Sequence, residues 1–376
     1  MKLTLSLAMI VKNEEHSIER ALRGARLVCD ELIVVDTGSS DRTVELAEMM
    51  GAKVRHFAWI DDFSAARNYS FEQCTSDWIL LLDADDELPK QTVAKILELK
   101  ELGIPEDIDV YEMVYNYSYD SNGHCTESQF MPRLIRNVPW HRWTYPVHEQ
   151  LFWYHSRSLQ LGDISIEHRQ DKAVDPLRHQ RARRIVAKAI ANGDERTQMV
   201  YYHAHHLFLD GEWAEAIRYF EQYLQQVGAG GYAYTVMVNM AQALERLGDV
   251  ENALLWAKKA EALDPMRAEA LVVIGQTLSS LKRWEEAIPF LQRATRLSRP
   301  NVAFAVDFTY TWLPWDLLSM CYDALGKYQE AIESAAMALT FGAEMERIRT
   351  NIGLYTKRLS ASEENRRLGP TLADLS

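Results

Sequence analysis

The chain has 376 residues, is 47% hydrophobic and carries 41 basic against 54 acidic residues, a formal charge of −13. Its length supports a sizeable core and favours two domains over one, and its acidity makes nucleic acid and anionic membrane surfaces poor partners, while leaving room for a local basic pocket for phosphates. Four scattered cysteines (Cys29, Cys74, Cys125, Cys321) form no CxxC pair, which argues against structural zinc or a disulfide framework and fits a reducing cytoplasm.

The opening segment LTLSLAMIV reads as a buried strand rather than a leader, because its apolar stretch is short, broken by Thr4 and Ser6 and closed by charge. No run approaches the roughly 20 apolar residues of a membrane span, so no stable membrane insertion is expected. A helix follows from His16 to about Gly24, then a strand over Leu32–Asp36 and a helix over Thr43–Met50 ended by Gly51. A strand over Lys53–Ala58, a helix over Phe63–Cys74 and a strand over Trp78–Asp83 complete the alternation. This rhythm predicts crossover units and a mostly parallel sheet, whose strands are covered on both faces and so read as continuous apolar runs such as WILLLD. In such sheets ligands bind beyond the carboxyl ends of the strands. Those ends are Lys12-Asn13-Glu14-Glu15, Asp36-Thr37-Gly38-Ser39-Ser40-Asp41 and Asp83-Ala84-Asp85. The absence of GxGxxG after the first strand argues against a dinucleotide fold of the dehydrogenase type.

Residues 105–170 are aromatic and show period-two patterns, as in VYEMVYNYSYD, which predicts antiparallel strands and loops that form a substrate surface or a β-rich core. From about residue 178 the pattern is helical and repeats. GEWAEAIRYFEQYL, GDVENALLWAKKAEALDP, KRWEEAIPFLQRATRL and GKYQEAIESAAMAL share Ala216, Ala253, Ala287 and Ala331, spaced by 37, 34 and 44 residues. An aromatic, an alanine and a proline at a period of about 34 are the tetratricopeptide signature, and such helix pairs stack into an all-α solenoid. The insertion NVAFAVDFTYTWLPW breaks the last period.

The stretch ILLLDADDEL concentrates acid at a strand end. Asp83 and Asp85, at i and i+2, can both point at one divalent ion of the Mg²⁺ or Mn²⁺ type. Equally, the quartet can open the helix QTVAKILEL, since acidic residues suit a helix N-terminus. Asp36 can accept a hydrogen bond from a base N–H or serve a turn, with Ser40 or Asp41 capping the next helix. Arg67 can meet a diphosphate in bidentate fashion or pair on the surface with Asp61 or Asp62.

Taken together, SLAMIVKNEE, ELIVVDTGSSDRT, DFSAARNYS and WILLLDADDEL closely resemble family 2 glycosyltransferases of the GT-A fold, and the likeness continues through MPRLIRN, VHEQL and ISIEH. The layout is similar to bacterial glycocin S-glycosyltransferases and flagellin glycosyltransferases, and over the first domain to lipopolysaccharide-core glycosyltransferases. The resemblance implies a Rossmann-like GT-A domain over 1–175, a linker helix over 176–200 and repeats over 201–365. It implies a donor-nucleotide site of Val11, Asn13, Glu15, Asp36, Gly38, Arg67, Asp83 and Ala84, with Asp36 on uracil and Arg67 near the pyrophosphate. Asp85, with Asp83 and His168, would bind the metal, Asp85 being the primary ligand. Glu149 or His148 would be the acceptor-side base, with Asp86 facing the acceptor or the metal's outer shell and Glu87 belonging to the helix that follows.

The function expected is inverting transfer of a hexose from a UDP-sugar (UDP-glucose, UDP-GlcNAc or similar) to a Ser, Thr or Cys side chain, dependent on Mg²⁺ or Mn²⁺. The repeats would bind the peptide or protein acceptor or form a homodimer. Two alternatives are a lipopolysaccharide-core or other glycan acceptor and an inactive scaffold. The intact carboxylates and Arg67 speak against the scaffold.

Overall fold

The computed structural model describes residues 3–119, 123–153, 157–169, 178–300, 305–342 and 345–368. The chain forms two compact units, Met1–Gly193 and Asp194–Ser376.

The first unit opens with β1 (Leu5–Val11), α1 (Ile18–Val28), β2 (Glu31–Asp36), α2 (Thr43–Met49), β3 (Lys53–His56), α3 (Phe63–Glu72) and β4 (Trp78–Leu81). The order β3-β2-β1-β4 is parallel throughout. Side chains alternate across the sheet: Leu5, Leu7, Met9 and Val11 join one apolar cluster, while Ala8 and Ile10 join the cluster on the other face. That two-sided burial is why the strands read as unbroken apolar runs. Asp62 starts α3 by accepting from the Ala65 N–H at 2.9 Å.

The sheet continues differently from its first half. After β5 (Asp86–Glu87) and α4 (Lys90–Leu102) come β6 (Ile108–Tyr119), β7 (Cys125–Arg136), β8 (Arg142–Thr144), β9 (Gln150–Phe152) and β10 (Arg157–His168). β7 runs antiparallel to both β4 and β6, β10 is parallel to β6, and β8–β9 is a separate hairpin. The whole is a mixed eight-stranded sheet in the order β3-β2-β1-β4-β7-β6-β10-β5. The strand expected to reach Asp83 ends at Leu81, because the chain turns there. The acidic quartet does not open a helix: Asp86 and Glu87 pair with His168 and Glu167 of β10, and α4 begins three residues later with no acid in its first turn. Glu87 is therefore a strand residue, 3.7 Å from Arg169. The unit closes with α5 (Arg178–Ala191), where Arg184 and Lys188 pair with Asp61.

Glu31 ties three strands at the end of the sheet away from the strand tips. Its Oε1 accepts from the Ser6 hydroxyl and the Thr75 N–H, both at 2.6 Å, and its Oε2 meets Lys53 at 3.0 Å. Burial raises its pKa, but the Ser6, Thr75 and Lys53 hydrogen bonds outweigh that and pull it down to about 2. A depressed carboxylate stabilises above its unfolded pKa and loses that contribution as pH falls through the folded value. Glu31→Gln is expected to cost about 2 kcal/mol at neutral pH. The gap between wild type and variant should close as the pH falls from about 4.5 toward 2. Urea melts across that range check it, and a gap independent of pH would refute it.

The second unit contains α6 (Thr197–Leu209), α7 (Trp213–Val227), α8 (Ala233–Arg246), α9 (Val250–Leu263), α10 (Ala268–Ser280), α11 (Trp284–Ala294), α12 (Trp312–Ala324), α13 (Tyr328–Leu339) and α14 (Met345–Leu368), each packed on the next. Ala216, Ala253, Ala287 and Ala331 sit on the second helix of successive pairs and are completely buried. A larger side chain there would hold neighbouring helices apart. Gly275 has the same role in mid-helix, since a Cβ would lie 2.4 Å from Leu291 Cδ2. The insertion that breaks the period is pinned by buried Glu269, which accepts from the Tyr310 hydroxyl at 2.8 Å, Val306 N–H at 3.1 Å and Arg267 at 3.1 Å. Residues 301–304 of the insertion lie outside the described residues.

Candidate active site

The tips of β1 and β2 are laced together. Thr37 donates from both its N–H and its hydroxyl to the Val11 carbonyl at 2.9 Å, and Val11 is itself buried. Asn13, in the left-handed region at φ 56°, accepts from Ser40 N–H at 2.8 Å and donates its own N–H to Ser39 Oγ at 2.9 Å. Glu15 accepts from Arg42 N–H at 3.1 Å. Asp41, rather than Ser40, receives the Thr43 N–H at the start of α2. Asp36 is buried and holds its own turn, accepting from Ser39 N–H at 3.0 Å and Gly38 N–H at 3.2 Å, with His56 Nδ1 3.4 Å away. Gly38 sits at φ 103°, where a side chain would be strained. Asp36 thus serves a turn, and its Oδ1 keeps a second lone pair.

At the tip of β4 the four acids separate. Asp83 lies between two guanidiniums, with Oδ1 3.0 Å from Arg67 and Oδ2 3.4 Å from Arg133. Burial raises its pKa, but Arg67 and Arg133 more than offset this and hold it well below the usual carboxylate range. Ala84 is buried beneath the turn. Asp85 is anchored through its backbone, its carbonyl accepting from Arg169 N–H at 2.9 Å and from Arg20 at 3.4 Å. Its carboxyl is pushed up to about 6 by burial, against the pull of His168 and with reinforcement from Asp83 and Asp86. Asp86 is completely buried. Its Oδ1 accepts from the Tyr115 hydroxyl at 2.9 Å and lies 3.2 Å from His168 Nδ1; its Oδ2 accepts from Asp83 N–H at 2.9 Å and meets Arg133 at 3.2 Å.

Of the two places expected for Asp86, the acceptor side or the metal's outer shell, the structure puts it beside Asp85 and His168. Asp83 is engaged by Arg67 and Arg133. Among the described residues the donors that come together are Asp85, Asp86 and His168, with ligand atoms within 4.8 Å of one another. Burial lowers the His168 pKa, but the three nearby carboxylates raise it overall. Two carboxylates and an imidazole around negative potential fit a divalent cation of the Mn²⁺ type, which accepts oxygen donors and tolerates nitrogen.

Arg67 does not pair with Asp61 or Asp62. Asp61 is taken by α5 and Asp62 by the α3 cap, so Arg67 turns inward. Its Nε donates to Glu149 at 2.8 Å, its Nη2 to Asp83 at 3.0 Å, and its guanidinium lies over the Trp143 ring at 5.0 Å. Its Nη1 is buried without a hydrogen-bond partner among the described residues. His148 and Glu149 end a turn that α3 holds in place. Asn68 donates to the Trp143 carbonyl at 2.9 Å and accepts its N–H at 2.8 Å, while Phe63 N–H donates to Pro146 O at 2.8 Å. Both Tyr145 (φ 71°) and His148 (φ 54°) adopt the left-handed conformation, a local strain concentrated beside the site.

Sequence reasoning assigned no role to Arg133 and Tyr115. Arg133 is 1% exposed, and its guanidinium lies 4.2 Å from the Tyr115 ring centroid. The available signal was an arginine inside the apolar run MPRLI, which a strand cannot bury without buried carboxylates to meet it.

Residues 6–155 match the model of glycosyl transferase family 2, residues 202–272 a domain of unknown function (DUF6340), and residues 268–301 the tetratricopeptide repeat. The first unit thus carries a match to the family 2 glycosyl transferase domain and the second a match to a tetratricopeptide repeat. A TPR repeat-containing protein of Synechococcus elongatus is 41% identical over 145 residues, covering 39% of this chain and 34% of the relative. An uncharacterized glycosyltransferase of Rickettsia bellii is 42% identical over 87 residues, covering 23% and 29%. The SPbeta prophage-derived glycosyltransferase SunS of Bacillus subtilis is 30% identical over 164 residues, covering 43% and 37%. The chain spans about a third of the length of these curated relatives.

Proposed function

We propose that the chain is a metal-dependent, inverting glycosyltransferase that moves a hexose from a UDP-sugar to a polypeptide Ser, Thr or Cys side chain. The observation that carries this is Arg67: a buried guanidinium fixed on two sides by carboxylates, with one N–H group left unsatisfied. Buried donors are nearly always paired, and a diphosphate oxygen is the partner that suits a guanidinium at the tip of a parallel strand. Asp36 and the loop at Asn13–Glu15 would hold the base and ribose. Asp85, Asp86 and His168 would hold the cation, and a bound cation there would offset the negative charge that develops on the departing diphosphate.

On the acceptor side Glu149 takes the proton of the attacking side chain, and His148 on the same turn is the alternative base. Arg67 orients Glu149 through its Nε, which fixes the carboxylate before the acceptor arrives. Glu149→Gln should lower kcat by about 10²–10⁴-fold while donor affinity is retained. Near-normal turnover would exclude Glu149 as the base. The polypeptide acceptor is supported by the repeat unit, since helical repeats present extended surfaces to peptides. Homodimerisation is the other use of that surface. All four cysteines are free, which suits the cytoplasm, and among the described residues no helix is long and apolar enough to cross a membrane.

The test is intact mass measurement of candidate peptides and proteins incubated with a panel of UDP-sugars, with Mn²⁺ or with chelator. A hexose-sized mass increase and UDP release, both abolished by chelator, are expected. No release from any donor would overturn the proposal.

A further inference from the structure

Hydrogen-bond counting at the tip of β2 limits what Asp36 can still accept. A carboxylate offers about four acceptor sites, two on each oxygen. On Asp36, among the described residues, Ser39 N–H reaches Oδ1 at 3.0 Å, Gly38 N–H reaches Oδ2 at 3.2 Å, and His56 Nδ1 lies 3.4 Å from Oδ2. A carboxylate only accepts, so Nδ1 carries the proton and donates. Oδ2 is therefore occupied twice, and Oδ1 keeps one site. Only 6% of the Asp36 side chain is exposed, so a ligand group that arrives there must fit what remains.

The sheet brings His56 to this position. β3 runs parallel to β2 with His56 level with Asp36, and just beyond it Phe57 N–H donates to the Asp36 carbonyl at 2.9 Å. The Phe57 ring lies 5.5 Å from that of Tyr69, centroid to centroid, which holds the backbone beyond His56. β3 is an edge strand and carries Lys53, Arg55 and His56 in four residues, a composition that discourages further pairing. Their contacts nevertheless differ. Lys53 meets Glu31 at the opposite end of the sheet, and Arg55 donates to the Val54 carbonyl. His56 alone of the three turns to the carboxylate at the ligand end, and its side chain is 73% exposed, so crowding does not force it there.

We infer that His56 sets the base selectivity of the donor site: it closes one oxygen of Asp36 and leaves a single acceptor, which takes uracil and turns guanine away. This rests on the reading of Asp36 as the nucleobase contact and deepens it. Uracil presents one ring N–H, at N3, between two carbonyls. Guanine presents N1–H and its 2-amino group side by side, a pair that takes both oxygens of a carboxylate. Here the second of those groups meets an oxygen already covered by Gly38 and His56 and is left without a partner, which costs affinity. The same cover keeps bare lone pairs of Oδ2 away from the uracil carbonyls. His56 is thus a positioning residue: it acts through Asp36, by excluding the wrong base.

The test is calorimetric titration of the full chain with UDP and with GDP in the presence of Mn²⁺. The two nucleotides share ribose and diphosphate, so the ratio of their Kd values isolates the base. UDP should bind wild type at least about tenfold more tightly than GDP. In His56→Ala the freed lone pair accepts the second guanine N–H, and the ratio should fall about tenfold. His56→Asn places an amide N–H near the position of Nδ1 and should keep the wild-type ratio. An unchanged ratio in His56→Ala, whether or not both nucleotides weaken, overturns the role of His56 and leaves the UDP-donor reading standing. A ratio relaxed equally by both substitutions assigns the effect to the size of the ring and overturns the hydrogen-bond account. Wild type that binds GDP as tightly as UDP, or binds neither, overturns the donor reading and this inference together.

Discussion

Asp85→Ala is expected to remove cation-dependent transfer, with kcat lower by at least about a hundredfold, and to leave both units folded. The fold holds Asp85 by its carbonyl, which accepts from Arg169 and Arg20, and alanine keeps that carbonyl. Among the described residues its carboxyl makes one ionic approach, 3.4 Å to His168, and is partly open. Burial and two neighbouring acids hold this carboxyl at about 6, so the site is electrostatically unfavourable until a cation neutralises it. Calorimetric titration with Mn²⁺ should show the loss of binding, and circular dichroism melts should stay within about 2 °C of wild type. Retained cation-stimulated transfer would mean that the metal is held elsewhere. Asp86→Ala should behave differently and lose stability as well, because it takes the nearer carboxylate from buried Arg133 and one hydrogen bond from the Tyr115 hydroxyl.

Arg133→Met should destabilise the first unit by about 3–5 kcal/mol, because it leaves Asp83 and Asp86 with one cationic neighbour fewer in a buried site. For a unit of this size that corresponds to a fall in Tm of roughly 10 °C. Lysine should not restore it, since an ammonium cannot lie flat on Tyr115 while reaching two carboxylates. Adding Asp86→Asn to Arg133→Met should recover part of the loss, because one uncompensated charge is removed. Calorimetry on the full chain, resolving the transition of the first unit, would measure it. A change under about 1 kcal/mol would show that water reaches these carboxylates and that Arg133 is not their counter-charge.

Much of the architecture was legible because burial leaves a periodic trace. Strands covered on both faces become apolar runs, and helix pairs that stack on themselves repeat Ala216, Ala253, Ala287 and Ala331 where only a methyl fits. The strand-tip acids were legible as a group for the same reason: a charge that directly follows a buried run must lie at its exposed end. Their separate roles were not legible. Asp83, Asp85 and Asp86 are equivalent in one dimension, and they diverge only when strands distant in sequence bring other groups to them.

The sequence by itself determined the crossover sheet followed by helical repeats, the edge at which chemistry collects, and the residue types found there. Tertiary structure decided which acid does what. Pairing of β5 with β10 sank Asp86 beneath His168, and β7 delivered Arg133 to Asp83. The α5 and cap contacts occupied Asp61 and Asp62 and turned Arg67 toward Glu149. The physical reason is range. Periodic burial is written in neighbouring residues, whereas the charge state and direction of a carboxylate depend on counter-charges within a few ångströms that arrive from far along the chain.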